Sequence, residues 1–225
     1  MPNTNRTYKK HITDHNNFFY RLTWESAGNN KFNGAYYYSK EIVERIIPNV
    51  QTDRGWITIN ARTGGFDGAI VFIHNNLNKQ GYEWLKKYKD LILVCGIPET
   101  CEKVKNLGTP IYLPLSINVE EVRKYKIPKK EMKGTAFIGR KAKRKGVKFP
   151  QGTKFIEGLP REELLKEMAK YKNVYAVGRT AIEAKALGCQ ILPYDERFPD
   201  VERWQVLDNI EAAEMLQKEL DRIDK

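Results

Sequence analysis

Cysteine is scarce in this chain of 225 residues: Cys95, Cys101 and Cys189 are odd in number, with no CxxC and no His/Cys pattern at zinc spacing. That gives no zinc module, and the simple reading, favoured over a disulfide, is buried or idle thiols in a reducing, cytoplasmic compartment. Long apolar runs are missing too. None approaches the roughly 18 residues that a membrane span requires, and the opening "MPNTNRTYKKHITDHNN" has no apolar core of the signal-peptide kind. The expectation is a soluble protein without a transmembrane segment. Acid is the third shortage, with 28 Asp and Glu against 39 Lys and Arg.

The excess of base is concentrated. Between Glu121 and Lys148 there are twelve Lys or Arg and two Glu, so that segment carries +10 of the total +11. Its densest part is "GRKAKRKG", residues 139–146. A local patch of this strength points to phosphate as partner, in a nucleotide, a nucleic acid or a lipid headgroup. A solvated loop is the plainer reading of such a run.

The pattern along the chain predicts an α/β protein in two layers. Residues 1–34 are polar and asparagine-rich around an aromatic island "FFYRLTW", and read as an N-terminal arm with one short ordered piece. Residues 35–118 read as a first α/β domain: a helix at 39–47, strands at 55–61 and 68–76, then "GYEWLKKY" (helix), "DLILVCG" (strand), "PETCEKVKNLG" (helix) and "PIYLPLS" (strand). Residues 119–133 are basic, interrupted by Pro128 and without an apolar face beyond their first turn, which marks a linker. The alternation restarts over 134–225 with "TAFIG", "TKFIEG", "PREELLKEMAKY", "NVYAVG", "TAIEAKALG", "CQILPYD" and a closing helix "NIEAAEMLQKELDRI". Alternating short strands and helices predict parallel βαβ units.

Two strand ends in the second half carry the chemistry. One finishes in Gly139 followed by Arg140; the other finishes in Gly178 followed by Arg179 and Thr180. Ligands of open parallel sheets bind beyond the carboxyl ends of the strands. There glycine admits a phosphate to the backbone, arginine offers a planar fork, and a helix start offers free amides. Without a ligand, "TAIE" also reads as a capping box between Thr180 and Glu183.

The stretches "FIGRKAKRKG" and "FIEGLPREELLKEMAKYKNVYAVGRTAIEAKALGCQILPYD" resemble the nucleotide-sugar half of retaining glycosyltransferases of the two-domain GT-B fold. In that family a strand ending in Gly-Arg precedes a loop closing with Lys-Gly, and a helix with a Glu-Ala-x-Ala-x-Gly pattern follows later. The resemblance spans about residues 134–195, and "PIYLPLSINVEEV" is similar to the family's interdomain connection. It implies two small Rossmann-like parallel-sheet domains about a cleft, a nucleoside-diphosphate sugar as donor substrate, and no cofactor. Arg140 and Lys145 would bind the donor diphosphate, with Gly139, Gly178, Arg179 and Thr180 around it and Glu183 on the ribose hydroxyls. No DxD motif is present, so no metal is expected for that step. The sequence departs from the family where a second acidic residue usually precedes the helix glutamate: Ala176 stands there, and Arg179 lies in the shortened loop.

His74, at the end of "AIVFIHNN", is the candidate catalytic group of the first half, able to hold the donor sugar or shuttle a proton if it faces the cleft. Its alternative is a turn histidine bonded to backbone. Asp67 divides the same way, between a turn former and a cleft acid. Lys141, Lys143, Arg144 and Lys148 remain for an acceptor, and so for DNA, or for solvent. Compact transferases that modify bases in phage DNA are similar in general terms, which makes a DNA base the favoured acceptor over a cell-wall or capsular glycan. A non-catalytic module that holds a nucleotide or nucleic acid is the competing class.

Overall fold

The structure, a computed structural model, describes residues 18–19, 42, 70–73, 77, 79–139 and 146–223. The expected helix at 39–47 and strand at 55–61, the turn carrying Asp67, and His74, Arg140, Lys141, Lys143, Arg144 and Lys145 lie outside these residues, apart from Ile42. The chain divides into two compact units. One takes residues 1–115 and 209–225, the other 116–208.

In the first unit a parallel sheet runs in the order β1 (Phe18–Phe19), β2 (Ile70–Ile73), β3 (Leu91–Cys95), β4 (Gly108–Tyr112). The aromatic island of the arm thus supplies a strand, Phe18 pairing with Ile70. All five residues of β3 are buried, as the run "LILVC" requires of a strand covered on both faces. Helix α1 (Lys79–Leu85) and helix α2 (Pro98–Val104) bring Leu85 and Val104 into a core with Val71, Ile73, Leu77, Leu91, Leu93 and Cys95. Pro98 starts α2, where a missing N–H costs nothing.

Gly108 was expected to close that helix and instead opens β4. A side chain there would put its Cβ 2.3 Å from the carbonyl oxygen of Leu91, so only glycine lets the strands meet. Pro110 is tolerated because β4 is an edge strand.

The second unit contains what the sequence suggested was a linker. Residues 119–133 form helix α3 (Val119–Arg123) and a 3-10 turn (Lys129–Glu131). Asn118 caps α3 by accepting from the Glu121 amide at 3.0 Å. Val122 and Met132 are buried; with Pro128 between them they share no helical period, which is why the segment reads as structureless. The ends of the unit meet: Ile117 forms a parallel bridge with Asp208, whose Oδ2 accepts from the Val119 amide at 3.0 Å.

Its parallel sheet runs β6 (Lys154–Ile156), β5 (Thr135–Ile138), β7 (Asn173–Tyr175), β8 (Gln190–Leu192). Helices α4 (Arg161–Met168) and α5 (Arg179–Leu187) make the crossovers to β7 and β8. Both crossovers run in the same direction across the sheet, so the right-handed rule puts both helices on one face. Ala136, Ile138, Ile156, Val174 and Ile191 are buried beneath them. Gly188 ends α5 at φ +98°, with the Cys189 amide donating back to the Ala184 carbonyl at 2.9 Å. The last helix, α6 (Asn209–Ile223), was expected to close the second domain but belongs to the first unit.

Two parallel sheets in an α/β chain match the expected fold class at that level.

Candidate phosphate-facing site in the second unit

In the order β6-β5-β7-β8 the chain leaves β5 toward one edge of the sheet and leaves β7 toward the other. The switch point therefore falls between β5 and β7, where loops diverging from adjacent strand ends open a crevice. β5 and β7 pair from Thr135↔Asn173 to Phe137↔Tyr175, so Gly139 and Gly178 follow neighbouring strands at the same end of the sheet. The structure thus brings the two glycine junctions together. Arg140 and Lys145, expected to work there, are outside the described residues, as is His74 in the first unit. Lys148, which follows Gly146, is exposed.

Gly178 has φ +65° and ψ −143°, a conformation essentially reserved for glycine, and serves as the N-cap of α5. No side chain caps this helix. The capping box between Thr180 and Glu183 is therefore not formed, and the helix starts one residue earlier, at Arg179. Its first turn contains no acid. The amides of Arg179 and Thr180 precede the first intrahelical bond, made by Ala181 to the Gly178 carbonyl at 3.0 Å, and so lie at the positive end of the helix dipole.

Arg179 and Glu183 lie one turn apart on α5 and both are buried, 4% and 5% exposed in their side chains. Glu183 Oε1 faces two guanidinium groups, Arg179 Nε at 3.2 Å and Arg161 Nη1 at 2.5 Å. Arg161, the first residue of α4, also donates from Nε to Glu121 Oε1 on α3 at 3.1 Å. Charges thus alternate along Glu121, Arg161, Glu183 and Arg179 and tie three helices together. Burial works against the charge of Arg161, but Glu183 and Glu121 outweigh it and raise its pKa.

Arg161 was missed from the sequence. It sits inside "PREELL", where an exposed first-turn arginine is the ordinary expectation, and nothing local announces partners 40 residues before it and 22 after.

The face of the sheet opposite α4 and α5 is aromatic. Phe155, Phe137 and Tyr175 stand side by side on β6, β5 and β7. Phe149 lies across them, its centroid 5.1 Å from Phe137, 5.5 Å from Phe155 and 5.1 Å from Tyr175. Tyr194 meets Phe137 edge-on at 5.1 Å. Phe149 belongs to the connection from β5 to β6, of which residues 146–153 are described.

Among the described residues no group of three His, Cys, Asp or Glu could hold a metal ion, and no helix is long and apolar enough to cross a membrane. Comparison with family models, curated proteins and solved structures finds no match for the chain.

Proposed function

We propose that the chain is a glycosyltransferase moving a sugar from a nucleoside-diphosphate donor to an acceptor, with a base in DNA favoured over a cell-wall or capsular glycan. One observation carries the reading: two glycine junctions, Gly139 and Gly178, follow adjacent strands at the switch point of a parallel sheet, beside the uncapped start of α5. That is where a diphosphate is held by backbone amides and a helix dipole. In this reading Arg140 and Lys145 neutralise the charge that builds on the leaving diphosphate as the sugar–oxygen bond breaks. His74 serves the sugar. Glu183 has one oxygen committed to Arg161 and Arg179, so it meets the ribose through Oε2.

The same pairing favours a second reading. A chain whose Glu183 is held by Arg161 and Arg179 can bind a nucleotide without turning it over.

The test is a thermal-shift screen with UDP, GDP, ADP, CDP and their sugar conjugates, repeated on Arg140→Ala, alongside release of nucleoside diphosphate from the conjugate that binds. Stabilisation by one nucleotide, lost in Arg140→Ala, with release that depends on added DNA, supports the transferase. Stabilisation without release supports the binding module. No stabilisation by any of them overturns both.

A further inference from the structure

In the first unit β3 and α2 bring two of the chain's cysteines together. Cys95 is the last residue of β3 and Cys101 lies in α2, with only Gly96 and Ile97 between the two elements. The chain turns at Ile97, whose carbonyl accepts from the Thr100 amide at 3.1 Å and from the Cys101 amide at 3.4 Å. That turn folds the start of α2 back over the strand end, and Cys101 packs against the core cluster that contains Cys95. The Cys95 thiol hydrogen-bonds to the Cys101 sulfur.

The two sulfurs are unlike. Cys95 is fully buried, whereas Cys101 is half-buried and follows the exposed Pro98 and Glu99, with exposed Glu102 next to it. A small solute therefore reaches Cys101 first. The hydrogen bond from Cys95 lowers the Cys101 pKa against burial and the charge of Glu102, so Cys101 is the readier thiolate of the pair. Cys189 offers a contrast within the same chain. It is buried in the second unit, which contains no other cysteine, and its thiol donates to the Met168 carbonyl at 3.7 Å.

We infer that Cys95 and Cys101 form a reversible disulfide on exposure to a peroxide, with Cys101 as the sulfur oxidised first and Cys95 as the thiol that resolves it. The Cys101 thiolate attacks one peroxide oxygen; an S–O bond forms, the O–O bond breaks and hydroxide leaves. Cys101 is then a sulfenic acid, without the negative charge that held the proton on Cys95. The Cys95 sulfur next attacks the Cys101 sulfur. The S–S bond forms, the S–O bond breaks, and the departing hydroxide takes the Cys95 proton as water. Two thiols have lost the two electrons that the peroxide gained. To bond, the sulfurs close from hydrogen-bond contact to about 2.05 Å. An added dithiol reverses the bond by exchange, and where thiols are kept reduced such a link is transient. The pair lies outside the unit that carries the donor site, and the inference rests on no reading of that site.

The experiment treats the full, folded chain with a small excess of hydrogen peroxide at neutral pH, then alkylates the remaining thiols with N-ethylmaleimide in denaturant. Trypsin cuts after Lys89 and Lys103, so Cys95 and Cys101 share the peptide 90–103. That peptide should lose both alkyl labels together and weigh two hydrogens less than its unlabelled reduced form. Dithiothreitol before alkylation should restore both labels, and Cys189 should keep its label throughout. Cys95→Ala should halt at the sulfenic acid, trapped on Cys101 by dimedone, while Cys101→Ala should leave Cys95 a thiol at the same dose. The parent measurement needs neither variant to fold. The inference is overturned if the parent keeps both labels, or if Cys101 passes to the sulfinic acid with Cys95 still reduced. It is also overturned if the bond joins two chains on a non-reducing gel, or if Cys189 is oxidised as fast as the pair.

Discussion

Arg161 Nη1 lies 2.5 Å from Glu183 Oε1, joining the first residue of α4 to the middle of α5. Glu183 is the better buried of the two, and it also faces Arg179, so the carboxylate holds two guanidiniums inside the unit. Glu183→Gln should therefore cost about 2–4 kcal/mol, because it leaves arginine charge buried without its counter-charge. Arg161→Met should cost less, since its side chain is 25% exposed and partly screened. Urea unfolding monitored by circular dichroism would measure both. A cost below about 0.5 kcal/mol for Glu183→Gln would show the network to be incidental.

Gly178→Ala tests the start of α5. Its φ of +65° with ψ of −143° is a backbone conformation that L side chains rarely adopt, and about 1–3 kcal/mol of strain is expected. Any nucleotide thermal shift should weaken along with it, since the first amides of α5 would be re-aimed. An alanine variant that keeps full stability and full nucleotide response would remove Gly178 from the site.

Phe137→Ala and Phe155→Ala should separate core from surface. Phe137 is fully buried among rings, so its truncation should cost about 3–5 kcal/mol. Phe155 is exposed enough that its loss should cost under about 1 kcal/mol. Chemical unfolding of both variants decides. Equal costs would mean that Phe155 belongs to the core after all.

Alkali should destabilise the second unit. Burial pushes the Cys189 thiol from 9.0 up to about 12, and burial, aided by Asp195, pushes the Tyr194 phenol from 10.0 up to about 12. A pKa raised by folding adds stability that is complete below the unfolded value and disappears as pH climbs through the folded one. The loss should therefore fall between pH 9 and 12 for Cys189 and between pH 10 and 12 for Tyr194. Urea midpoints at pH 8 and pH 10.5 should differ, and less so in Cys189→Ala. A flat profile would contradict the burial of both groups.

The thiols of the first unit should react unequally. The Cys95 proton has two acceptors within reach, the Leu93 carbonyl at 3.4 Å and the Cys101 sulfur. Once Cys101 ionises it is the stronger acceptor, so the hydrogen bond from Cys95 lowers the Cys101 pKa despite partial burial. Iodoacetamide at pH 7.5 followed by peptide mass spectrometry should label Cys101 first, and Cys95→Ala should slow it. Preferential labelling of Cys95 or Cys189 in the folded protein would sink this assignment.

Much of the second unit was legible because its strands and helices are short, apolar where they should be, and punctuated by Gly and Pro. The closing helix at 209–223 appears at its expected bounds, β5 and α5 lie within a residue of where their patterns place them, and β7 starts where expected but ends at Tyr175, three residues before Gly178. Which unit a helix joins was not legible, since an amphipathic stripe on α6 does not name the core it enters. Residues 119–133 were misread because burial there rests on Val122 and Met132, ten positions apart, and on the Asn118 cap. At the site, the glycines were visible as strand ends. The engagement of Arg179 and Glu183 was not, because it depends on Arg161, whose position in space follows only from the crossover of α4.

The bridge between Ile117 and Asp208 has a consequence for the order of events at the ribosome. The second unit is a closed insert: all of it has been synthesised once Asp208 is made, and its two ends meet. The first unit begins earlier yet finishes later, because it must wait for α6. The nascent chain thus carries a complete inner module while its outer one is still open. A stop codon just after Asp208 would spare the module that came second and maim the one that came first.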